Sequence, residues 1–250
     1  MCHKISNVFV KNVISRNMEK AMEDKGHRFL SAGCTSCGHL TRFRMNCKDR
    51  TCPACRLKWF GFHFNVLVDC ANSWKKVYFL TLTVKNIPEI GRSDIKDLRK
   101  WFLELRVRFP QIADGFYVMQ ATNKGKGWHP HVHSLYDGVF IAKEVLSKAW
   151  AEITGGSFVV DIQLVQDPKT AVRYLLSDFL QAPRIRPEDV ADFNGVFKCS
   201  RLIQAFGKYR KFKFLRVPYK CPKCGGTDWL IIDRCFGEGH APGRLCEDSS

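Results

Sequence analysis

Cysteines gather towards the two ends of the chain, and their spacing constrains the fold more than any other feature of the sequence. Of 12 cysteines in 250 residues, five fall between residues 34 and 55, and a second group occupies residues 221–246. The first group contains two Cys-x-x-Cys pairs, a spacing that wraps a tight turn around one tetrahedral ion. Because the N-terminus shows no signal-peptide pattern, we expect these thiols to bind zinc rather than to form disulfides.

Two structural zinc sites are predicted, each contributing folding free energy on the order of 10 kcal/mol by comparison with isolated zinc fingers. Cys47 is an alternative ligand in the first site. In the second site, a Cys-Pro-Lys-Cys-Gly-Gly turn typical of a zinc knuckle leaves His240 or Cys246 as the fourth ligand. The favoured ligand sets are Cys34, Cys37, Cys52 and Cys55 for the first site, and Cys221, Cys224, Cys235 and His240 for the second.

The net charge of +16, from 40 lysines and arginines against 24 acidic residues, indicates a polyanionic partner. A hydrophobic content of 45% excludes disorder for most of the chain. No apolar run approaches the ~18 residues of a membrane span. We therefore expect a soluble, cytoplasmic protein that binds nucleic acid and has no membrane partner.

Basic and aromatic residues are interleaved over residues 207–220. This pattern suits a strand whose cationic side chains follow phosphates while its rings stack on exposed bases. The alternative is a sheet edge with one solvated and one buried face. A second basic patch spans residues 42–58. The predicted DNA-binding residues are Lys208, Arg210, Lys211, Lys213 and Arg216.

The middle of the chain alternates between strand and helix patterns. Turn residues 123–127 join two of the strands into a hairpin. Proline at residue 168 marks the first turn of the last helix. The predicted strands cover residues 77–84, 115–122, 131–139 and 158–165, and the predicted helices cover residues 93–109, 142–153 and 168–180.

Three histidines occupy alternate positions of the segment 127–133, Gly-Trp-His-Pro-His-Val-His. On a strand, His129, His131 and His133 point to one face, about 6–7 Å apart at successive positions. This geometry suits imidazoles converging on a divalent ion, and a histidine-rich polar face is the alternative. Antiparallel pairing with residues 116–122 would bring Gln120 to the same ion. Neutral ligands leave such an ion Lewis acidic, able to polarise a phosphate oxygen.

Three segments in this order resemble the motifs of the rolling-circle plasmid replication initiators, which belong to the histidine–hydrophobic–histidine (HUH) endonuclease superfamily. They are Phe79–Thr83, Gly127–Leu135 and the pair Arg173-Tyr174. The segment ending Cys-Pro-Ala-Cys-Arg, just ahead of the first of these strands, is also similar to that family. The resemblance covers about residues 34–180. It implies an α+β fold with a central antiparallel sheet and packed helices, similar to the RNA-recognition motif, flanked by small zinc-binding elements.

The resemblance assigns roles to four of these residues. His131 and His133 match the pair that binds Mn²⁺ or Mg²⁺, and Gln120 stands where a glutamate ligand is usual. Tyr174 matches the nucleophile, whose attack leaves a 5′-phosphotyrosine and a free 3′-OH. An ordinary packed helix tyrosine is the alternative for Tyr174.

One position departs from the pattern of some relatives, which carry an acidic residue four positions before the tyrosine to activate water. Thr170 occupies that position here and cannot act as a base. Asp167 lies one helical turn further back. Termination by water is therefore in doubt, and a second tyrosyl transfer is the alternative.

The implied function is the initiation of rolling-circle replication, by nicking and rejoining single-stranded or melted origin DNA. A host helicase and polymerase are implied partners, because no P-loop motif occurs. The alternatives are a transposase of the same superfamily and a non-catalytic zinc-containing nucleic-acid-binding protein. The predicted segments are an N-terminal helical segment (1–33), a zinc-binding element with a helix (34–75), the catalytic core (76–184), a basic DNA-binding segment (185–220) and a C-terminal zinc knuckle (221–250).

Overall fold

Contacts divide the chain into two compact units, residues 1–47 with 216–250 and residues 48–215. The structure is a computed structural model that describes residues 27, 29–47, 49–177, 185–197, 201, 203–212 and 218–235. Among the helices in these ranges, none has both the length and the apolar character required to cross a membrane.

The first unit contains a small antiparallel sheet built from both ends of the chain. Its strands are β1 (Phe29–Cys34), β2 (Leu40–Arg44) and β8 (Trp229–Cys235), in the order β2-β1-β8. The segments predicted from the sequence are consecutive and separate. In the structure, a strand within residues 29–44 instead pairs with residues 229–235 from the other end of the chain. Residues 29–33 were expected in a helical segment. They form a strand because the sheet supplies pairing partners on both sides.

The second unit is built on a five-stranded antiparallel sheet in the order β6-β3-β5-β4-β7. Its strands are β3 (Val77–Thr83), β4 (Ile112–Asn123), β5 (Trp128–Gly138), β6 (Val160–Leu164) and β7 (Ile203–Phe206). Its described helices are α1 (Pro53–Asn72), α2 (Arg92–Arg108), α3 (Lys143–Thr154), α4 (Pro168–Leu175) and α5 (Val190–Phe197). The predicted α+β class, with helices packed on an antiparallel sheet, is confirmed.

One face of this sheet is covered by α2, α3 and α5. Leu80 and Leu82 of β3 belong to the buried cluster that includes Leu98 and Phe102 of α2 and Trp150 of α3. Burying each such side chain contributes about 1.5–3 kcal/mol. The described residues therefore hold a continuous apolar layer on this face.

The opposite face is covered by α1 and α4. Val77 and Phe79 of β3 belong to a second buried cluster, with Leu67 of α1 and Val172 and Leu175 of α4. Because successive strand residues point to opposite faces, β3 contributes to both layers. The sheet is thus buried on both sides, which is why β3 reads as a nearly continuous apolar run.

The β4–β5 hairpin has the predicted turn, since β4 ends at residue 123 and β5 begins at residue 128. Gly127 has a φ of 82°, and a Cβ there would lie 2.8 Å from the Ile87 carbonyl oxygen, so only glycine fits. The resulting register places Gln120 of β4 directly opposite His131 of β5. Cross-strand partners of this kind have Cβ atoms about 4.5–5.5 Å apart.

Candidate active site

The three histidines of β5 form a row on the face that α1 and α4 cover. Each histidine lies an even number of residues before Leu135, whose side chain belongs to the buried cluster on that face. Residues at even separations along a strand point to the same side of the sheet. The ring centroids of His129 and His131 are 5.5 Å apart, and those of His131 and His133 are 4.9 Å apart. The expected common face is therefore present, with the imidazoles close enough to act on one group.

His131 is the buried centre of the row. Its Nδ1 lies 3.0 Å from the backbone oxygen of His129, and its Nε2 lies 3.0 Å from Oε1 of Gln120. A carbonyl oxygen only accepts, so Nδ1 carries the proton of the neutral ring and Nε2 presents a lone pair. That lone pair faces another acceptor, an arrangement that a cation between them would satisfy.

The amide of Gln120 supports the same conclusion. Its Nε2 is buried and has no hydrogen-bond partner among the described residues. Turning the amide by 180° would let its nitrogen donate to His131 but would leave its oxygen without a partner instead. Either orientation leaves one buried polar atom unsatisfied, which native structures seldom tolerate without a ligand or water.

His133 completes a donor set that suits a divalent ion. Its Nδ1 lies 3.0 Å from Oγ1 of Thr81 on β3, so its Nε2 is left for a ligand. Burial lowers the pKa of His131 to about 4 and that of His133 to about 3, with a further contribution from the neighbouring imidazole in each case. Both rings are therefore neutral at pH 7, the form that binds metals. The residues present fit a divalent cation.

His129 stands at the more exposed end of the row. Its Nδ1 donates to Oδ1 of Asn86 at 2.7 Å, and partial burial lowers its pKa, with the charge of Lys124 adding to the effect. Its participation as a ligand, like that of the other three residues, stays a prediction.

Tyr174 lies near the end of α4 and packs on this row. Its ring centroid is 5.3 Å from that of His133 and 5.3 Å from that of Phe79. The side chain nevertheless remains 56% exposed, unlike Val172 and Leu175 of the same helix, which are fully buried. An ordinary core tyrosine would be covered, so the contact with His133 together with solvent access suits a reactive group.

The Asp167 carboxylate caps the N-terminus of α4 and does not hydrogen-bond to Tyr174. Its carboxylate accepts from the backbone amides of Lys169 and Thr170 at 3.0 and 3.2 Å, and from the Thr170 hydroxyl at 2.5 Å. The Thr170 hydrogen bond above all lowers the pKa of Asp167. A carboxylate held in this way is a weak base.

Among the described residues of the first unit, four cysteine side chains are placed to hold one zinc ion, and they differ from both predicted sets. They are Cys34, Cys37, Cys221 and Cys224, with all four sulfurs within 4.8 Å of one another.

This four-cysteine group is a correction to the predicted ligand sets. Sulfurs of Cys34 and Cys224 lie 3.5 Å apart and those of Cys37 and Cys221 lie 3.6 Å apart, close to the edge of about 3.8 Å that a zinc tetrathiolate tetrahedron has. Antiparallel pairing of β1 with β8 brings the two Cys-x-x-Cys turns together. Cys235 ends β8, and His240 lies outside the described residues.

The interleaved segment after β7 also differs from the prediction. Residues 207–209 form a 3₁₀ turn instead of a strand. The Tyr209 hydroxyl accepts from Trp74 Nε1 at 2.7 Å, and both Tyr209 and Phe212 pack against Phe116 in the core. These two rings therefore support the sheet and are not available to stack on bases.

The predicted cations of this segment differ in their surroundings. The Lys208 ammonium lies 3.3 Å from Asp114 and 3.8 Å from Asp137, so its charge is matched within the protein. Arg210 and Lys211 are exposed. Lys213 and Arg216 lie outside the described residues. Phosphate binding by the last four stays a prediction.

Sequence reasoning missed two residues that orient the imidazoles. Thr81 and Asn86 hydrogen-bond to His133 and His129. Thr81 was predictable, because it is one of two threonines in a largely apolar strand that pairs with the histidine strand. Asn86 lies in the loop after β3 and carries no such signal.

Comparisons with known proteins give weak structural similarities at low sequence identity. No protein-family model and no curated protein matches the chain. A hypothetical protein from Sulfolobus islandicus rod-shaped virus 1 is 13% identical, with a TM-score of 0.30 over 46% of this chain and 92% of its own. The N-terminal nuclease domain of minute virus of mice non-structural protein 1 is 13% identical, with a TM-score of 0.18 over 87% of this chain and 79% of its own. At these values, function has to be derived from the residues themselves.

Burial of two neutral imidazoles predicts a characteristic pH dependence of stability. The folded pKa values of about 4 for His131 and about 3 for His133 lie below the unfolded value of 6.5. The unfolded chain therefore binds more protons below about pH 6.5, and the free energy of unfolding falls as pH decreases, by up to about 1.4 kcal/mol per pH unit for each ring.

The measurement is urea unfolding of the metal-free protein between about pH 7 and pH 5. We expect a His131→Gln, His133→Gln double variant to show a shallower pH dependence than the unmodified chain. Equal slopes for the two proteins would contradict burial of neutral rings.

Proposed function

We propose that this protein is a metal-dependent, single-strand DNA nicking and joining enzyme with Tyr174 as its nucleophile, acting as a rolling-circle replication initiator. The observation that carries the proposal is the packing of an exposed tyrosine ring 5.3 Å from His133, at one end of a row of neutral imidazoles. The net charge of +16 supports a nucleic-acid substrate.

His131, His133 and Gln120, with His129 at the exposed end of the row, would hold the divalent ion. An Mn²⁺ or Mg²⁺ ion held by these residues would supply Lewis acidity towards a phosphate oxygen and would offset negative charge in the transition state. All four ligands are neutral, so the ion would keep its full charge. The hydrogen bonds from the His131 and His133 Nδ1 atoms fix both rings with Nε2 directed to the ion.

Tyr174 would attack the phosphorus of a scissile phosphodiester. Its phenolic oxygen forms the new O–P bond, the bond from phosphorus to the 3′ oxygen breaks, and that oxygen takes up a proton. The products are a 5′-phosphotyrosine and a strand with a free 3′-OH. The tyrosine must lose its own proton, and its exposure gives solvent access for that transfer.

Rejoining would run through a second strand end rather than through water. Thr170 is not a base, and the Asp167 carboxylate is held by the first turn of α4. A 3′-OH of a second strand attacks the phosphotyrosine, forms a new phosphodiester and releases Tyr174. This favours strand transfer over hydrolysis.

The test is a search for the covalent intermediate. Unmodified protein is incubated with a randomised pool of single-stranded oligonucleotides and Mn²⁺, then resolved under denaturing conditions. We expect a protein–oligonucleotide adduct that maps to Tyr174. The adduct should not form when a chelator is present during the incubation. The absence of any adduct from such a pool, or an adduct on another residue, would overturn the proposal in favour of a binding protein.

A further inference from the structure

A cavity of about 370 Å³ lies beside the helix that carries Tyr174, within the size range of about 300–1,000 Å³ typical of ligand pockets. It is lined by the end of α1, the start of β3, the end of β6 and Pro168 of α4. Neither the histidine row nor the predicted DNA-binding segment contributes to it.

The cavity combines an apolar floor with a polar rim. Ala71, Trp74 and Val77 on the floor are buried in the core. The rim carries four exposed polar side chains for which no protein partner is found within the described part of the chain. They are Asn72, Lys75, Lys76 and Gln166.

The two rim lysines carry charges that no carboxylate in the described part of the chain neutralises. Across the described ranges, neither Lys75 nor Lys76 takes part in an ion pair. Lys208, by contrast, faces two carboxylates. A pair of adjacent unmatched ammonium groups above an apolar floor is suited to a ligand that is anionic at one end and apolar at the other.

We propose that this cavity binds a nucleotide unit of the single strand adjacent to the one cleaved at Tyr174, an assignment that rests on the proposed function. Lys75 and Lys76 would contact the phosphate, and the floor would receive the sugar or base. Tyr174 lies six residues after Pro168 on α4, or about 9 Å along the helix axis. Tyr174 also packs on Phe79, which lies two residues after Val77 of the cavity lining on the same face of β3, so the cavity is placed to receive the nucleotide next to the scissile phosphate.

The experiment measures binding of a fluorescent single-stranded oligonucleotide by the full chain at several salt concentrations. We expect the Lys75→Ala, Lys76→Ala variant to bind about tenfold more weakly near 0.1 M salt, with a salt slope smaller by roughly 0.7, the contribution of the one single-strand phosphate that the two lysines neutralise. Both lysines are exposed, so the thermal midpoint should not change.

The matched control is Lys96→Ala, Lys100→Ala, which removes the same charge from exposed positions of α2 on the opposite face of the sheet. We expect this control to bind like the unmodified chain. If both variants bind the oligonucleotide equally weakly, the loss of affinity comes from net charge alone, and the cavity assignment is wrong.

The same variants separate this inference from the proposed function. Adduct formation on Tyr174 with unchanged affinity in Lys75→Ala, Lys76→Ala would refute the cavity and leave the tyrosine chemistry in place. Selective loss of affinity without any adduct in the unmodified chain would refute the chemistry and support the cavity as a strand-binding site.

Discussion

Replacing Tyr174 with phenylalanine is expected to abolish the covalent protein–DNA adduct and to lower the rate of strand cleavage by at least about 1,000-fold, as removal of a nucleophile does in other covalent enzymes. The substitution removes one hydroxyl and keeps the ring that packs on Phe79 and His133. The fold and DNA affinity should therefore be retained. The measurement is single-turnover cleavage of an oligonucleotide in Mn²⁺.

Tyr219→Phe is the matched control, because Tyr219 is 51% exposed against 56% for Tyr174 and also packs on other aromatic rings. We expect this variant to cleave at the unmodified rate. Undiminished cleavage by Tyr174→Phe would refute the tyrosine mechanism, whatever the behaviour of the control.

Loss of the tetrathiolate site is expected to have the second largest effect, on stability rather than on chemistry. Cys224→Ser should lower the zinc content by one ion per chain and speed amide exchange in β1 and β8 by at least about 100-fold, since structural zinc contributes on the order of 10 kcal/mol in small metal-bound folds. Leu40, Leu230 and Ile231 of this sheet are exposed rather than packed, and its described aromatic packing joins Phe43, Tyr219 and Trp229. We therefore expect the four sulfurs to carry a large share of its stability.

The surroundings of Cys34 lower the pKa of its thiol, which favours metal binding. Burial opposes ionisation of Cys34, but hydrogen bonds from the Ser36 backbone and the Cys224 thiol lower its pKa to about 7. For Cys224, the Gly226 amide lowers the pKa, yet the sulfurs of Cys37 and Cys34 raise it to about 12. The lowered pKa favours the thiolate of Cys34, and thiolate is the species that binds zinc.

Cys70→Ser is the control for this experiment, since Cys70 belongs to α1 and is not one of the four candidate ligands. It should keep both the zinc content and the slow exchange of β1. Unchanged zinc content in Cys224→Ser would show that the four sulfurs do not form one site.

The histidine face was largely predictable because it depends on segments that are neighbours in the chain. Alternation along residues 129–133 put the imidazoles on one face, and the turn at 123–127 fixed the register that sets Gln120 opposite His131. A two-residue strand period and a short hairpin leave little freedom. Interest in Tyr174 came from the resemblance alone, since periodicity could not distinguish it from a core tyrosine, and its packing on His133 was seen only in the structure.

The zinc ligands and the basic segment were not predictable in the same way. A Cys-x-x-Cys spacing establishes that two thiols share an ion, but not which second pair completes it. For the interleaved segment, composition did not indicate that Tyr209 and Phe212 would pack on Phe116.

The sequence by itself therefore determined the α+β class, the histidine face, and the use of paired cysteines, all of which follow from local spacing. Only the tertiary structure decided that Cys34 and Cys37 meet Cys221 and Cys224, that Lys208 is neutralised, and that a cavity with unmatched lysines adjoins α4. These depend on pairing between β1 and β8 and on packing of α1, β6 and α4, contacts between residues far apart in the chain that no local pattern encodes.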